Sequence, residues 1–111
     1  MKLSIVIPAH NEEQRLPPVL EAYAAFFQQA MGAEAEIILV ANGCEDDTAS
    51  VANDIAASHA NIRVIDEPRR VGKGGAVILG MKAGTGDYIG FVDADGATGA
   101  EAFALLYEQS Q

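Results

Sequence analysis

Two carboxylates set two residues apart, Asp93 and Asp95, close an apolar run that begins at Tyr88, and Gly96 follows at once. Residues at i and i+2 of an extended segment point to one face. Where such a segment gives way to loop, both side chains can turn toward one cation. Two like charges held close together are costly unless something positive lies between them. A hard divalent ion, Mg²⁺ or Mn²⁺, itself holding phosphates, meets that demand. A solvated acidic turn meets it as well, so the rest of the chain has to decide.

Three other clusters carry candidate chemistry. Arg69-Arg-Val-Gly-Lys-Gly-Gly75 joins positive charge to glycines ahead of a helical pattern. The unpaired N–H groups of a helix start, with Lys73 as a mobile cation, suit a diphosphate, and solvated loop charge is the plain alternative. It is not the phosphate-binding loop of nucleotide hydrolases, because Gly74 stands where Ser or Thr should follow Lys73. The dinucleotide fingerprint fails too, since Val77 replaces its third glycine. Pro8-Ala-His-Asn-Glu12 leaves an apolar run into a loop that could form a shelf for a base or ribose. His10 reads either as an acid–base group or as a loop donor, and Glu12 and Glu13 also suit a helix start. Asn42 precedes Gly43, so its amide serves base or sugar recognition, a turn, or both. Cys44 has no basic neighbour to make it a thiolate and reads as loop filling. Asp46 and Asp47 read as helix caps.

Four apolar runs alternating with four helical patterns must position these groups. Strands are expected at Leu3 to Ile7, closing at Pro8, then at Glu36 to Ala41, Asn61 to Ile65 and Tyr88 to Val92. Helices are expected from Pro17-Pro18 to a stop at Gly32, after Asp46-Asp47, over Gly72 to Ala83, and over Ala100 to Gln109. Phe103, Leu106 and Tyr107 are expected to face inward on the last. This rhythm predicts a three-layer α-β-α domain around a mainly parallel four-stranded sheet. Ligands of such sheets gather beyond the carboxyl ends of the strands, where every polar cluster above falls.

The 111 residues suffice for one domain with a modest core. A net charge of −9 opposes nucleic acid and anionic surfaces. The single cysteine excludes an internal disulfide and fits a reducing compartment. No apolar stretch is long enough for a transmembrane segment, so a cytoplasmic protein, at most peripheral at the membrane face, is expected.

The chain resembles the amino-terminal half of a family 2 glycosyltransferase with the GT-A fold. The resemblance rests on Ser4-Ile-Val-Ile-Pro-Ala-His-Asn-Glu-Glu13, on Ile38-Leu-Val-Ala-Asn-Gly-Cys-Glu-Asp-Asp-Thr48, and on Gly72-Lys-Gly-Gly-Ala-Val77 running on to Gly86-Asp-Tyr-Ile-Gly-Phe-Val-Asp-Ala-Asp-Gly96. These segments stand in the family's order and spacing over nearly the whole chain. The last two are closest to the branch that moves hexoses onto polyprenyl or dolichyl phosphate.

The resemblance implies a nucleotide-diphosphate sugar, UDP- or GDP-linked, as donor. It also implies Mg²⁺ or Mn²⁺ as cofactor and transfer with inversion to a polyprenyl phosphate or saccharide. It implies that Pro8, Ala9, Asn11, Glu12 and Asn42 line the nucleotide pocket, and that Asp93 and Asp95 form the metal and diphosphate motif with Lys73 nearby. Asn42 stands where relatives carry an aspartate that contacts the base. In such enzymes the acceptor wall and the usual catalytic aspartate lie well beyond the metal motif. Residues 1–111 are therefore expected to be the nucleotide-sugar-binding part, truncated before the acceptor part. The alternative is a non-catalytic nucleotide-binding or assembly module that associates with itself, as a homo-oligomer, or with a partner chain. A phosphatase of the haloacid dehalogenase type and a phospho-receiver domain fit less well. The first would carry its aspartates after the first strand, and the second would not place Lys82 within a helix.

Overall fold

In the computed structural model, which describes residues 2–110, the first strand β1 runs over Leu3–Ala9 and is buried along its whole length. Helix α1 (Leu16–Met31) starts with prolines in its first turn, where absent N–H groups cost nothing, and stops at Gly32. A 3₁₀ turn leads into β2 (Ala35–Asn42); α2 (Thr48–Ala56), β3 (Ile62–Glu67), α3 (Gly72–Ala83), β4 (Tyr88–Phe91) and α4 (Ala100–Gln109) follow. The strands pair in the order β3-β2-β1-β4, and every pairing is parallel.

Two apolar clusters sandwich the sheet. Odd-numbered residues of β1 and β2 pack with Leu16, Leu20, Tyr23 and Phe27 of α1 and with Phe103 and Tyr107 of α4. Val6, Ile38 and Val40 face the other way onto Ala76 of α3. That second layer is thin because α3 approaches closely: a Cβ on Gly80 would lie 2.3 Å from Val6 Cγ1. The expected three-layer α-β-α architecture is therefore the observed one.

Two expectations about elements change. β1 does not close at Pro8 but continues to Ala9, with Pro8 opposite Val40. The even-numbered residues of β1 turn their main-chain groups toward β4, as Val6 O shows by accepting from Val92 N at 3.0 Å. The assigned pairing with β4 ends at Val6 opposite Phe91, just before Pro8, which has no donor to extend it. Leu106, expected inward, is 59% exposed, as is Leu105 at 60%. Phe103 and Tyr107, four apart on α4, are its buried residues, with Ala100 and Ala104 packed beside them.

The amino end of the sheet is tied by one carboxylate. Glu36 accepts from the Ser4 hydroxyl (2.6 Å), the Thr85 N–H (2.8 Å) and the Thr85 hydroxyl (3.0 Å), and pairs with Arg63 at 3.0 Å. Three strands and the loop before β4 thus share one acceptor. Burial by itself pushes Glu36 up, but these hydrogen bonds and the Arg63 charge together hold its carboxyl below the usual range. A cavity of about 350 Å³ opens at this end, far from the polar clusters that follow the strands.

A carboxylate held low adds stability that is fully present above its unfolded value, roughly 4.3, and lost as the pH falls through its folded value. Glu36→Ala should therefore cost about 2 kcal/mol near neutral pH in urea denaturation. The deficit should shrink as the pH drops from about 5 toward about 2. A deficit that stays constant with pH would contradict this reading of the carboxylate.

Candidate functional site

Because all four strands are parallel, their carboxyl ends and the loops that follow lie on one rim. The loop after β1 begins with His10 and Asn11, and Asn11 adopts a φ of 52°. Its side-chain oxygen accepts from the N–H groups of Glu45 (2.8 Å) and Asp46 (3.3 Å) in the loop after β2. The Glu12 N–H donates to the Thr48 hydroxyl at 2.9 Å, and that hydroxyl donates in turn to Asp46 over a short contact. Asp46 also accepts from the N–H groups of Thr48 (3.0 Å) and Glu13 (3.3 Å). Burial works to raise its carboxyl, but these donors outweigh it and hold Asp46 below the ordinary range. The expected capping role thus falls to Asp46, while Asp47 makes no side-chain cap bond.

Asn42 ends β2 and is only 4% exposed. Its Oδ1 accepts from the Val71 N–H at 2.8 Å, fastening the loop that precedes α3. Gly43 then turns with φ of 54°, so close to that loop that a Cβ would lie 2.7 Å from Arg70 Cα. Arg69 folds back on Glu67 at 2.8 Å, whereas Lys73 finds its carboxylate outside this segment. The Arg69 hydrogen bonds hold Glu67 below its ordinary range.

Lys73, in the first turn of α3, reaches across the rim to Asp93, with Nζ 2.6 Å from Oδ1. It also lies 5.7 Å from the centre of the Phe91 ring. Val92 and Ala94 are buried, whereas Asp93 and Asp95 on either side of Ala94 are exposed. One oxygen of Asp95 accepts from the Ala97 N–H at 2.9 Å. The loop is anchored beneath by the Tyr23 hydroxyl, which donates to Thr98 O at 2.6 Å. Burial pushes that phenol up to about 12, so it remains a donor at any physiological pH.

Asn42, Lys73 and Asp93 thus meet along one rim, but not around one closed cavity. Asn11, Glu12 and Asp46 line a cavity of about 420 Å³, and Asp93 lines a different one of about 410 Å³ between β4 and α4. Pro8 and Ala9 are buried within β1. The Glu12 carboxylate is spent on Arg15, through two contacts of 2.7 Å. Among the described residues, no group of three or more His, Cys, Asp or Glu side chains gathers to hold a metal. Two hard carboxylates are nevertheless the donor set that Mg²⁺ or Mn²⁺ takes when substrate phosphates complete the shell.

The model of glycosyl transferase family 2 matches residues 4–109. The chain belongs to that family. Among its relatives is a dolichyl-phosphate beta-glucosyltransferase of Drosophila melanogaster, 41% identical over an alignment of 104 positions that covers 88% of this chain and 32% of the relative. The chain thus spans about a third of the length of the curated relatives it matches. Among solved structures, the mannosyltransferase PcManGT of Pyrobaculum calidifontis, in complex with GDP-Man and Mn²⁺, superposes with a TM-score of 0.76 at 23% identity. That match covers 85% of this chain and 27% of the other. S. aureus TarS 1–349 in complex with UDP-GlcNAc gives 0.80 at 23% identity, covering 97% of this chain and 30% of the other. The fold is the GT-A glycosyltransferase fold, of which this chain forms part.

The role of Asn42 in fastening Val71 is directly measurable. Asn42→Ala leaves that N–H without its acceptor and should cost about 1–3 kcal/mol in urea denaturation. Proteolysis of the loop before α3 should quicken with it. A cost near zero would show that the loop holds its place without Asn42.

Proposed function

We propose that this chain is the nucleotide-sugar-binding part of a metal-dependent glycosyltransferase. The donor is a UDP- or GDP-linked hexose and the acceptor a polyprenyl phosphate of the dolichyl kind. The observation that carries the reading is the Lys73–Asp93 contact of 2.6 Å, which joins the start of α3 to the acidic loop after β4 on the rim where parallel sheets bind ligands. A cation and a carboxylate held together there suit a diphosphate bridged by a divalent ion. Dolichyl-phosphate glucosyltransferases among the relatives favour the lipid-linked acceptor.

In this account Asp93 and Asp95 would hold Mg²⁺ or Mn²⁺, which would supply charge neutralisation at the diphosphate. Lys73 leaves its partner Asp93 to face the departing diphosphate and stabilises the charge that gathers there. Asn11 and Asn42 orient the nucleoside from the other side of the rim. The acceptor phosphate oxygen forms its bond to the anomeric carbon from the face opposite the leaving nucleoside diphosphate, which inverts the configuration. Such an oxygen is already ionised near neutral pH, so it needs no general base. The acceptor wall is supplied by sequence beyond the segment that matches here or by a partner chain. No helix among the described residues is long and apolar enough to cross a membrane.

Calorimetric titration with UDP and with GDP should give binding that depends on Mn²⁺ or Mg²⁺. Asp95→Ala and Lys73→Ala should each weaken it by about tenfold or more, the loss expected when a charge contact to a ligand is removed. Heats that are equally weak with and without metal, and unchanged by Asp95→Ala, would refute the proposal.

A further inference from the structure

His10 sits where two rim loops meet, and its hydrogen-bond partners indicate which ring nitrogen carries the hydrogen. Its Nδ1 lies 2.7 Å from the main-chain oxygen of Asn42, which can only accept, so Nδ1 carries the hydrogen. Nε2 of the neutral ring is then an acceptor, 3.3 Å from the amide nitrogen of Asn11. The Asn11 amide is oriented independently of the ring. Its oxygen takes the N–H groups of Glu45 and Asp46, so its nitrogen must be the atom that faces the imidazole. Asn11 also holds the left-handed backbone conformation, φ 52°, which asparagine tolerates better than most non-glycine residues. Through the Asn42 side chain the same chain of bonds reaches Val71 and the loop before α3.

We propose that His10 is a positioning residue of the nucleotide site: as the neutral Nδ1–H imidazole it locks Asn11 and the loop after β2, and protonation releases them. A proton on Nε2 would face the Asn11 amide nitrogen, which has only hydrogens to offer. Asn11 cannot answer by turning its amide over, because its oxygen is held by two backbone donors. The ionisable groups on the surrounding loops are Glu12, Glu13 and Arg15 after β1, Cys44, Glu45, Asp46 and Asp47 after β2, and Arg69 and Arg70 ahead of α3. None of them hydrogen-bonds the ring, whose two partners are both asparagines. The consequence for ligand affinity rests on the nucleotide-sugar reading above, whereas the lock itself is independent of it.

The test is nitrogen NMR and amide exchange on the whole chain between about pH 8 and about pH 5.5, a range that brackets ordinary imidazole titration. At the upper end His10 should show a hydrogen on Nδ1 and a bare Nε2. Exchange protection of the Glu45 and Asp46 amides, corrected for the intrinsic pH effect, should fall about fivefold as the ring takes up its proton. His10→Gln can donate to Asn42 O and accept from Asn11, and should keep protection across the range. His10→Phe, without polar atoms, should lose it throughout. UDP affinity in Mn²⁺ should follow protection in each case. A hydrogen on Nε2 at the upper pH, or protection indifferent to pH in the unaltered chain, overturns the lock. Nucleotide affinity that ignores protection overturns the positioning role. Absence of nucleotide binding in every variant would instead mark failure of the functional reading, with the lock still decided by exchange.

Discussion

The parallel register of β1 with β2, from Leu3 opposite Ala35 to Ala9 opposite Ala41, is the constraint on which everything else rests. Parallel strands sort their ends, so once β1 and β2 pair, and β3 and β4 add in the same sense, every carboxyl end faces one rim. Residues as distant in sequence as Asn11 and Asp93 become neighbours of one edge by that fact alone. The register is held from both sides by fully buried aliphatic residues of β1 and β2. A slip by one residue would exchange the face packed on α1 for the face packed on α3, and the closely fitted Gly80–Val6 contact would be lost.

What the sheet brings together, the loops then hold by side-chain to main-chain bonds. Asp46 and Thr48 clasp the loop after β1, Asn42 clasps the loop before α3, and Tyr23 clasps the loop after β4. These acceptors and donors are buried or half-buried, so each is costly to break. The Lys73–Asp93 pair differs, because both side chains are more than half exposed and the pair is worth little by itself. A weak pair across a rigid rim suits a site in which a ligand must displace it. In a chain of net charge −9, Lys73, Arg69 and Arg70 form the basic cluster on the rim, and Arg69 is already paired.

Most of the fold was legible in the sequence, since apolar runs and helical spacing alternate cleanly and α3 and α4 have the bounds that the spacing predicts. Pro8 misled because a rule about central ladders was applied without knowing which neighbour its nitrogen would face. Leu106 misled because α4 covers the sheet with one narrow stripe rather than with a broad face. The positions of Asn42, Lys73 and Asp93 on one rim followed from β-α alternation. Their partners did not, because hydrogen bonds such as Asn42 to Val71, or His10 to Asn42 and Asn11, depend on distances between loops that no local pattern encodes. The engagement of Glu12 by Arg15 was open to reading from their i,i+3 spacing, and the Thr48 link from the Asp-x-Thr turn at Asp46.

The central claim is that the loops after the strands together receive a metal-bound nucleoside diphosphate. Paramagnetic broadening by Mn²⁺ in the presence of UDP or GDP maps that locus residue by residue. The account predicts broadening of the amides of Gly72 to Gly74 and of Asp93 to Gly96, weaker effects at Asn11 and Gly43, and none at Glu36 or Thr85 on the opposite end. Broadening centred on the amino end of the sheet, or spread evenly over the acidic surface, would contradict it.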